Sequence, residues 1–405
     1  MIDLETPRRF APLVAQANQV ATEVFRPISR KYDLAEHEYP KELDMLAALI
    51  DGMSAGGDGA GGAGAAGVRR KADGDGSGGN RNGSNLSTVL SVIELCWGDV
   101  GLLLTMPRQG LGNSAIASVA DDEQLERFAG KWAAMAITEP EAGSDSAAIR
   151  TTAVLDGDEY VLNGEKIYVT SGERAELVVV WATLDRSAGR AAIKSFVVER
   201  SNPGLKLDRL EHKLGIRASD TAAFRLEDCR VPKENLLGSP EVDTKQGFGG
   251  VMQTFDNTRP LVAAMAVGVT RACLEETRAR LAETGVEIDY ARPGTAGSAA
   301  VDRFLAMEAD YEAARLLTLQ AAWMADNAKP NSLQASMAKA KAGRTGVDVA
   351  LGCVELCGSL GLGESELLEK WARDAKILDL FEGTQQIQLL IVARQLLGKT
   401  SAELR

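Results

Sequence analysis

Apolar residues recur at two different periods along this chain, and the changes of period divide it into three. Between residues 8 and 50, Phe10, Leu13, Val14 and Ala17 fall on one helical face, and after Pro40 a second amphipathic stretch runs through Leu49. Helical spacing resumes from Leu86 to Val119, through Trp97 and the apolar run Val100–Leu104. After about Trp132 the period becomes that of strands. β-Branched runs cover Thr151–Leu155, Glu159–Leu162, Lys166–Thr170, Leu177–Thr183, Ala192–Val198, Leu205–Leu210 and Thr221–Glu227. Asp156-Gly157-Asp158 and Asn163-Gly164 read as the turns separating the first three. From Gly247 onward alanine-rich helical patterns return, broken near Pro293-Gly294, Pro330 and Gly358–Gly363. The pattern predicts an α+β chain: an N-terminal helical domain (1–131), a middle antiparallel β domain (132–240) and a C-terminal helical bundle (241–405).

Near the end of the chain, Leu367, Leu368, Trp371, Ala375 and Leu378 keep helical spacing, with Ser365 as the expected N-cap. A second helix carries Ile387, Leu390 and Ile391, with Thr384 as its cap and Gly398 as its stop. Glu382 lies in the break between the two. A carboxylate among apolar neighbours has its pKa raised toward the range of a general base, roughly 6–7. The competing reading is an ordinary solvated charge at a helix end.

Composition narrows the picture. A chain of 405 residues, 45 % hydrophobic and 25 % charged, has room for two or three cores. Its net charge of −12 argues against nucleic acid as a main partner. No apolar run reaches membrane-spanning length, and the acidic start Met1-Ile2-Asp3-Leu4-Glu5 is unlike a signal peptide, so a cytoplasmic address is expected. Residues 55–85 are glycine-rich around Arg69-Arg70-Lys71 and match no phosphate-cradling pattern; a flexible loop is expected. The five cysteines are scattered, and with His37 and His212 as the two histidines neither a closed zinc site nor Ser-His-Asp hydrolysis is expected.

Four segments, in order and spacing, resemble the acyl-CoA dehydrogenase family. They are Ala136-Ile137-Thr138-Glu139-Pro140-Glu141-Ala142-Gly143-Ser144-Asp145, Asn163 to Gly172, Lys213 to Thr221 running on to Val231-Pro232, and Arg373 through Gln388. The match covers nearly all of the chain beyond the N-terminal helices and is weakest over residues 50–90. The resemblance implies an α domain, a middle β domain and a four-helix bundle, which is the layout read from periodicity. It implies FAD-dependent removal of two hydrogens across Cα–Cβ of an acyl-CoA thioester, with electrons passed to an electron-transfer flavoprotein.

By that resemblance Glu382 is the catalytic base. Met135, Ile137, Thr138, Gly143 and Ser144 contact flavin, with Ser144 also near substrate, while Glu139 and Asp145 hold the loop. Tyr168 stacks on the flavin ring and Thr170 reaches its N5; two apart on a strand, they share a face. Thr384 and Gln386 match flavin contacts at a helix N-terminus. Asp256, Arg259, Gly383 and Arg394 are implied at the substrate, although a structural Arg259–Asp256 ion pair serves equally for that pair.

The chain departs from the family where a neighbouring subunit of the tetramer completes the FAD site. The R-x-x-F-G segment falls on Thr284 and Glu287, and the Q-x-F-G-G segment on Glu355 and Ser359. A Glu355 charge about 5 Å from the pyrophosphate, at an effective dielectric near 20, would cost roughly 3 kcal/mol, about a hundredfold in binding. Two assemblies follow: a heteromer in which a paralogous subunit supplies the trans contacts, or a homo-oligomer with substituted contacts, among them Arg69–Lys71 or other basic residues. Competing functions are an acyl-CoA oxidase of the same fold and a scaffold subunit of a heteromeric dehydrogenase.

Overall fold

The computed structural model describes residues 6–47, 83–107, 111–242, 249–291, 298–400 and 403, with the side chains of 249–257 excluded. Nearly all of the glycine-rich stretch, including Arg69, Arg70 and Lys71, lies outside the described residues. So does the side chain of Asp256, and with it the expected Arg259–Asp256 pair.

Helices α1 (Ala11–Val20) and α2 (Arg26–Leu34) are joined by a π turn at Ala21–Phe25. Helices α3 (Ser84–Gly98) and α4 (Val100–Thr105) follow. The sequence pattern ran unbroken through this region, but Asp99 divides it: extended backbone puts its carboxylate on the Leu102 amide as an N-cap. The N-terminus of α3 is met from elsewhere in the chain, where Asp326 accepts from the Asn85 and Leu86 amides at 2.9 and 3.0 Å. Helices α5 (Leu111–Val119) and α6 (Asp122–Arg127) lead into the sheet.

Seven strands form one sheet: β1 (Ala133–Ala136), β2 (Thr152–Asp156), β3 (Glu159–Thr170), β4 (Leu177–Thr183), β5 (Ile193–Glu199), β6 (Leu205–Leu210) and β7 (Thr221–Pro232). Its order is β1-β4-β2-β3-β7-β6, with β5 also on β4. The hairpins are antiparallel as expected, but β1 and β2 lie parallel to β4, since long connections rather than tight turns join them. The Asn163-Gly164 turn is corrected. β3 runs straight through it, paired with β7, and the two residues make an irregularity in register. Glycine is needed there because a Cβ would stand 2.4 Å from Thr151 Oγ1, and Asn163 Oδ1 accepts from the Asp228 amide at 2.8 Å.

The C-terminal part holds α7 (Gly249–Glu283), α8 (Ala299–Asp326), α9 (Ser332–Cys357), α10 (Leu368–Leu378) and α11 (Gln385–Leu397). Thr384 caps α11 and Gly398 ends it in the left-handed conformation, as read from sequence. Ser365 is not the cap of α10; Leu367 holds that position without a side-chain bond. One apolar core joins α3 and α4 to α7–α10, with Trp371, Phe304 and Phe25 fully buried in it. Two further clusters fill the opposite faces of the sheet. Among the described residues no helix is long and apolar enough to cross a membrane.

Candidate active site

Glu382 lies between α10 and α11 at φ +58°, a left-handed conformation costing about 1 kcal/mol for a residue with a Cβ. Gly383 follows at φ +92°, where a Cβ would lie 2.4 Å from Gln388 Nε2. Two buried side chains hold this break open. Gln388 Nε2 donates to the carbonyls of Glu382 and Gly383 at 3.0 and 3.2 Å, and Lys339 Nζ donates to that of Gly383 at 2.7 Å. The cost in backbone strain is thus met by hydrogen bonds from α11 and α9, which fix where the Glu382 side chain leaves the chain.

The carboxylate itself faces α7. Thr258 Oγ1 donates to Glu382 Oε2 at 2.8 Å, and Arg259 and Lys339 bring positive charge close by. Although the residue keeps some exposed surface, protein surrounds its carboxyl group, and this desolvation pushes the pKa above the ordinary carboxylate value. The Thr258 bond and the two cations pull the other way without cancelling it. The solvated-charge reading of Glu382 therefore fails. Desolvation also pushes Lys339 down to about 8, against the attraction of Asp379 and Glu382.

Arg259 is buried and reaches Ser336 Oγ at 3.5 Å, while Pro260 interrupts the hydrogen-bond ladder of α7 just beyond it. Arg394 stands half-buried in the last turn of α11, roughly 14 Å along its axis from Gln385. Thr384 Oγ1 accepts from the Ile387 amide, and Gln386 is exposed.

The other residues expected at the flavin from sequence lie on the sheet and its loops. Met135 is half-buried on β1; Ile137 is buried behind the loop; Thr138 is half-buried; Gly143 and Ser144 are exposed. Glu139 does hold the loop. It accepts from the Arg150 and Thr151 amides at 2.5 and 3.0 Å, from Thr151 Oγ1 at 2.6 Å, and from Lys166 Nζ at 2.6 Å. Lys166 also donates to the Ile137 carbonyl at 3.1 Å. Burial works to raise the Glu139 pKa, but the Lys166 charge and these bonds win and keep it ionised below its ordinary value. This pair fastens the loop over 137–139 to β3 just before Tyr168.

At Lys166–Val169 the register of β3 against β7 slips again. Ile167 and Val169 are buried, and Tyr168, at φ +58°, is 62 % exposed. Its ring is thus presented outward by a strained backbone, with half-buried Thr170 two residues further on. An exposed aromatic platform beside a hydroxyl suits a flat heteroaromatic ring. These residues fit a flavin.

Comparison with known proteins agrees. Family models match for the acyl-CoA dehydrogenase middle domain over residues 134–229 and the acyl-CoA dehydrogenase C-terminal domain over 245–397. A short-chain specific acyl-CoA dehydrogenase of Clostridium acetobutylicum is 35 % identical over 326 residues, covering 78 % of this chain and 83 % of that one. The chain belongs to the acyl-CoA dehydrogenase family. Among solved structures, butyryl-CoA dehydrogenase of Megasphaera elsdenii superposes with TM-score 0.79 at 28 % identity, covering 98 % of this acyl-CoA dehydrogenase and 100 % of that chain. A chain from the structure of the electron transferring flavoprotein of Acidaminococcus fermentans gives TM-score 0.78 at 31 % identity, covering 98 % and 100 %.

Sequence reasoning missed Thr258, Lys339, Gln388 and the Lys166–Glu139 pair as parts of this acyl-CoA dehydrogenase's site. Lys339 carried a readable signal, an ionisable residue on the helical stripe of Ala335, Ala338 and Ala342, all buried. Glu355, expected to repel the FAD pyrophosphate, is instead ion-paired with Arg303 of α8. Both side chains are about half exposed, so this pair offsets only part of the Glu355 charge. Thr284, Glu287 and Ser359 are exposed.

Proposed function

We propose that this enzyme forms a Cα–Cβ double bond in an acyl-CoA thioester, with Glu382 as the base. The observation carrying this reading is a single carboxylate with a raised pKa, held by a strained and doubly clamped backbone between two helices. Glu382 Oε takes the α-proton; the Cα–H electron pair becomes the new π bond; the β-hydrogen leaves with its electrons. FAD, when bound, would supply the hydride acceptor. Tyr168, Thr170, Thr138, Gly143, Ser144, Met135 and Ile137 would hold the flavin ring side, with Thr384 and Gln386 at the α11 terminus. Arg259, Gly383, Arg394, Ser144 and Asp256 are assigned to the acyl-CoA substrate. The names of the relatives point to short acyl chains as the first substrates to try, and to an electron-transfer flavoprotein as electron acceptor. We also retain the division into 1–131, 132–240 and 241–405, and an address in the cytoplasm.

The pH dependence tests the base. Glu382 works deprotonated, so kcat/KM falls as pH drops through its pKa, with a midpoint above the ordinary carboxylate value of 4.5. Thr258→Val removes a hydrogen bond that favours the ionised form, so its acid limb moves to higher pH. An acid limb that stays in place would separate Thr258 from the base.

Assembly follows from the same surface. Leu389, Leu390, Leu396 and Leu397 of α11 are each more than half exposed, an apolar face that an oligomer would cover. The Arg303–Glu355 pair favours a homo-oligomer over a paralogous heteromer. Expressed alone, the chain is expected as a yellow oligomer with near-stoichiometric flavin. Colourless protein that gains flavin on adding a paralogous subunit would reverse that choice.

A further inference from the structure

The chain's two histidines meet at a place the reaction does not use. His37 follows α2, and His212 follows β6. Their rings touch edge to face with centroids 4.9 Å apart at 63°. Glu36, 176 positions from His212, joins them: its Oε2 lies 2.9 Å from His212 Nδ1, and its other oxygen accepts from the Lys213 amide at 2.8 Å. One donor atom from each of Glu36, His37 and His212 lies within 4.8 Å of the others.

His37 is the unusual member. Its backbone is left-handed at φ 73°, and both of its ring nitrogens are shielded from solvent without a hydrogen-bond partner. Buried polar atoms are nearly always satisfied, so an imidazole with two idle nitrogens beside a second imidazole and a carboxylate calls for a ligand. Burial also lowers the His37 pKa, which keeps the ring neutral and its lone pair available.

We propose that Glu36, His37 and His212 bind one divalent transition-metal ion of the zinc class. Two imidazoles and one carboxylate are a borderline donor set suited to zinc, nickel or cobalt, with the remaining position open to water. Tetrahedral donors stand roughly 3.3 Å apart, so the set must close slightly; the His212 side chain, 83 % exposed, has room to swing in. Glu36 and Glu173 favour a cation there. Lys213 opposes it, but its ammonium is engaged with the Ser219 carbonyl at 2.7 Å. The bound ion would fasten the segment after α2 to the strand β6 end of the sheet.

The test uses untagged, flavin-loaded full-length enzyme titrated with zinc chloride by calorimetry, and with cobalt(II) followed by its visible spectrum. The expected result is saturable binding of one ion per chain and a rise in melting temperature. His212→Gln is expected to weaken binding at least about tenfold, with dehydrogenase turnover in metal-free buffer unchanged. His37→Gln should do the same; if it misfolds, exposed His212 still carries the test. Absence of saturable binding, binding unaltered in His212→Gln, or binding abolished only by cysteine alkylation would each overturn the proposal.

Discussion

Glu382→Gln is expected to lower turnover roughly 10²- to 10⁴-fold while the flavin remains bound. Glutamine keeps the shape and can still accept from Thr258 Oγ1, so the contact at 2.8 Å survives. The left-handed backbone and its clamps from Gln388 and Lys339 involve main-chain carbonyls and are untouched. The change removes the basicity and charge while keeping the shape. Turnover with a short-chain acyl-CoA and a dye acceptor, alongside the visible flavin spectrum, reads both quantities. A loss below tenfold with full flavin content would mean that the proton leaves to another group.

The largest expected effect on stability lies elsewhere, at Lys370. Its ammonium donates at 2.6 Å to Asp99 Oδ2 and at 2.6 Å to Asp374 Oδ2, and all three residues are essentially fully buried. Asp99 also accepts from Ser29 Oγ and caps α4, and Asp374 Oδ1 accepts from the Ile216 amide at 2.5 Å. One cation therefore ties α2, α4, α10 and the loop between β6 and β7. Burial disfavours the Lys370 charge, but Asp374 and Asp99 win and hold its pKa above the ordinary lysine value. Lys370→Met leaves two buried carboxylates facing one another and is expected to cost about 3–5 kcal/mol. In that variant one carboxylate takes up a proton in the folded state more readily than in the unfolded chain. Its stability then falls as pH rises, so the deficit is smaller near about pH 5 than about pH 8. Denaturant midpoints at the two pH values test this; an unchanged midpoint would show the triad to be dispensable.

What the sequence made legible follows its local signals. Period and turn residues found β2, β4, β5 and β6 to within a residue, but they missed β1, split β3 in two and ended β7 five residues early; Asp156-Gly157-Asp158 does turn β2 into β3. The same logic failed at Asn163-Gly164, because the partner that keeps β3 extended there, β7, lies far along the chain. Glu382 was visible through its motif and its helix–glycine–helix setting. Thr258 adjoins Arg259, which the resemblance implied at the substrate, yet its contact with Glu382 spans 124 positions and has no local trace. The same holds for Lys166 on Glu139, Lys370 between two aspartates, and His37 against His212. Side-chain pairs made by packing distant elements are products of the fold, and periodicity carries no information about them. Glu355 shows the converse: its sequence position suggested an unmet charge, and Arg303 on another helix pairs with it.

The central claim is that Glu382 abstracts the α-proton of a bound thioester. Its most direct measurement is deuterium exchange at Cα of an acyl-CoA whose β-carbon carries no hydrogen, bound to the flavin-loaded enzyme in D2O. Proton removal is then observed without oxidation. The account predicts steady wash-in of deuterium with the wild-type enzyme, slowing below the acid limb of its pH profile, and no exchange above background with Glu382→Gln. Exchange at an undiminished rate in that variant would contradict it.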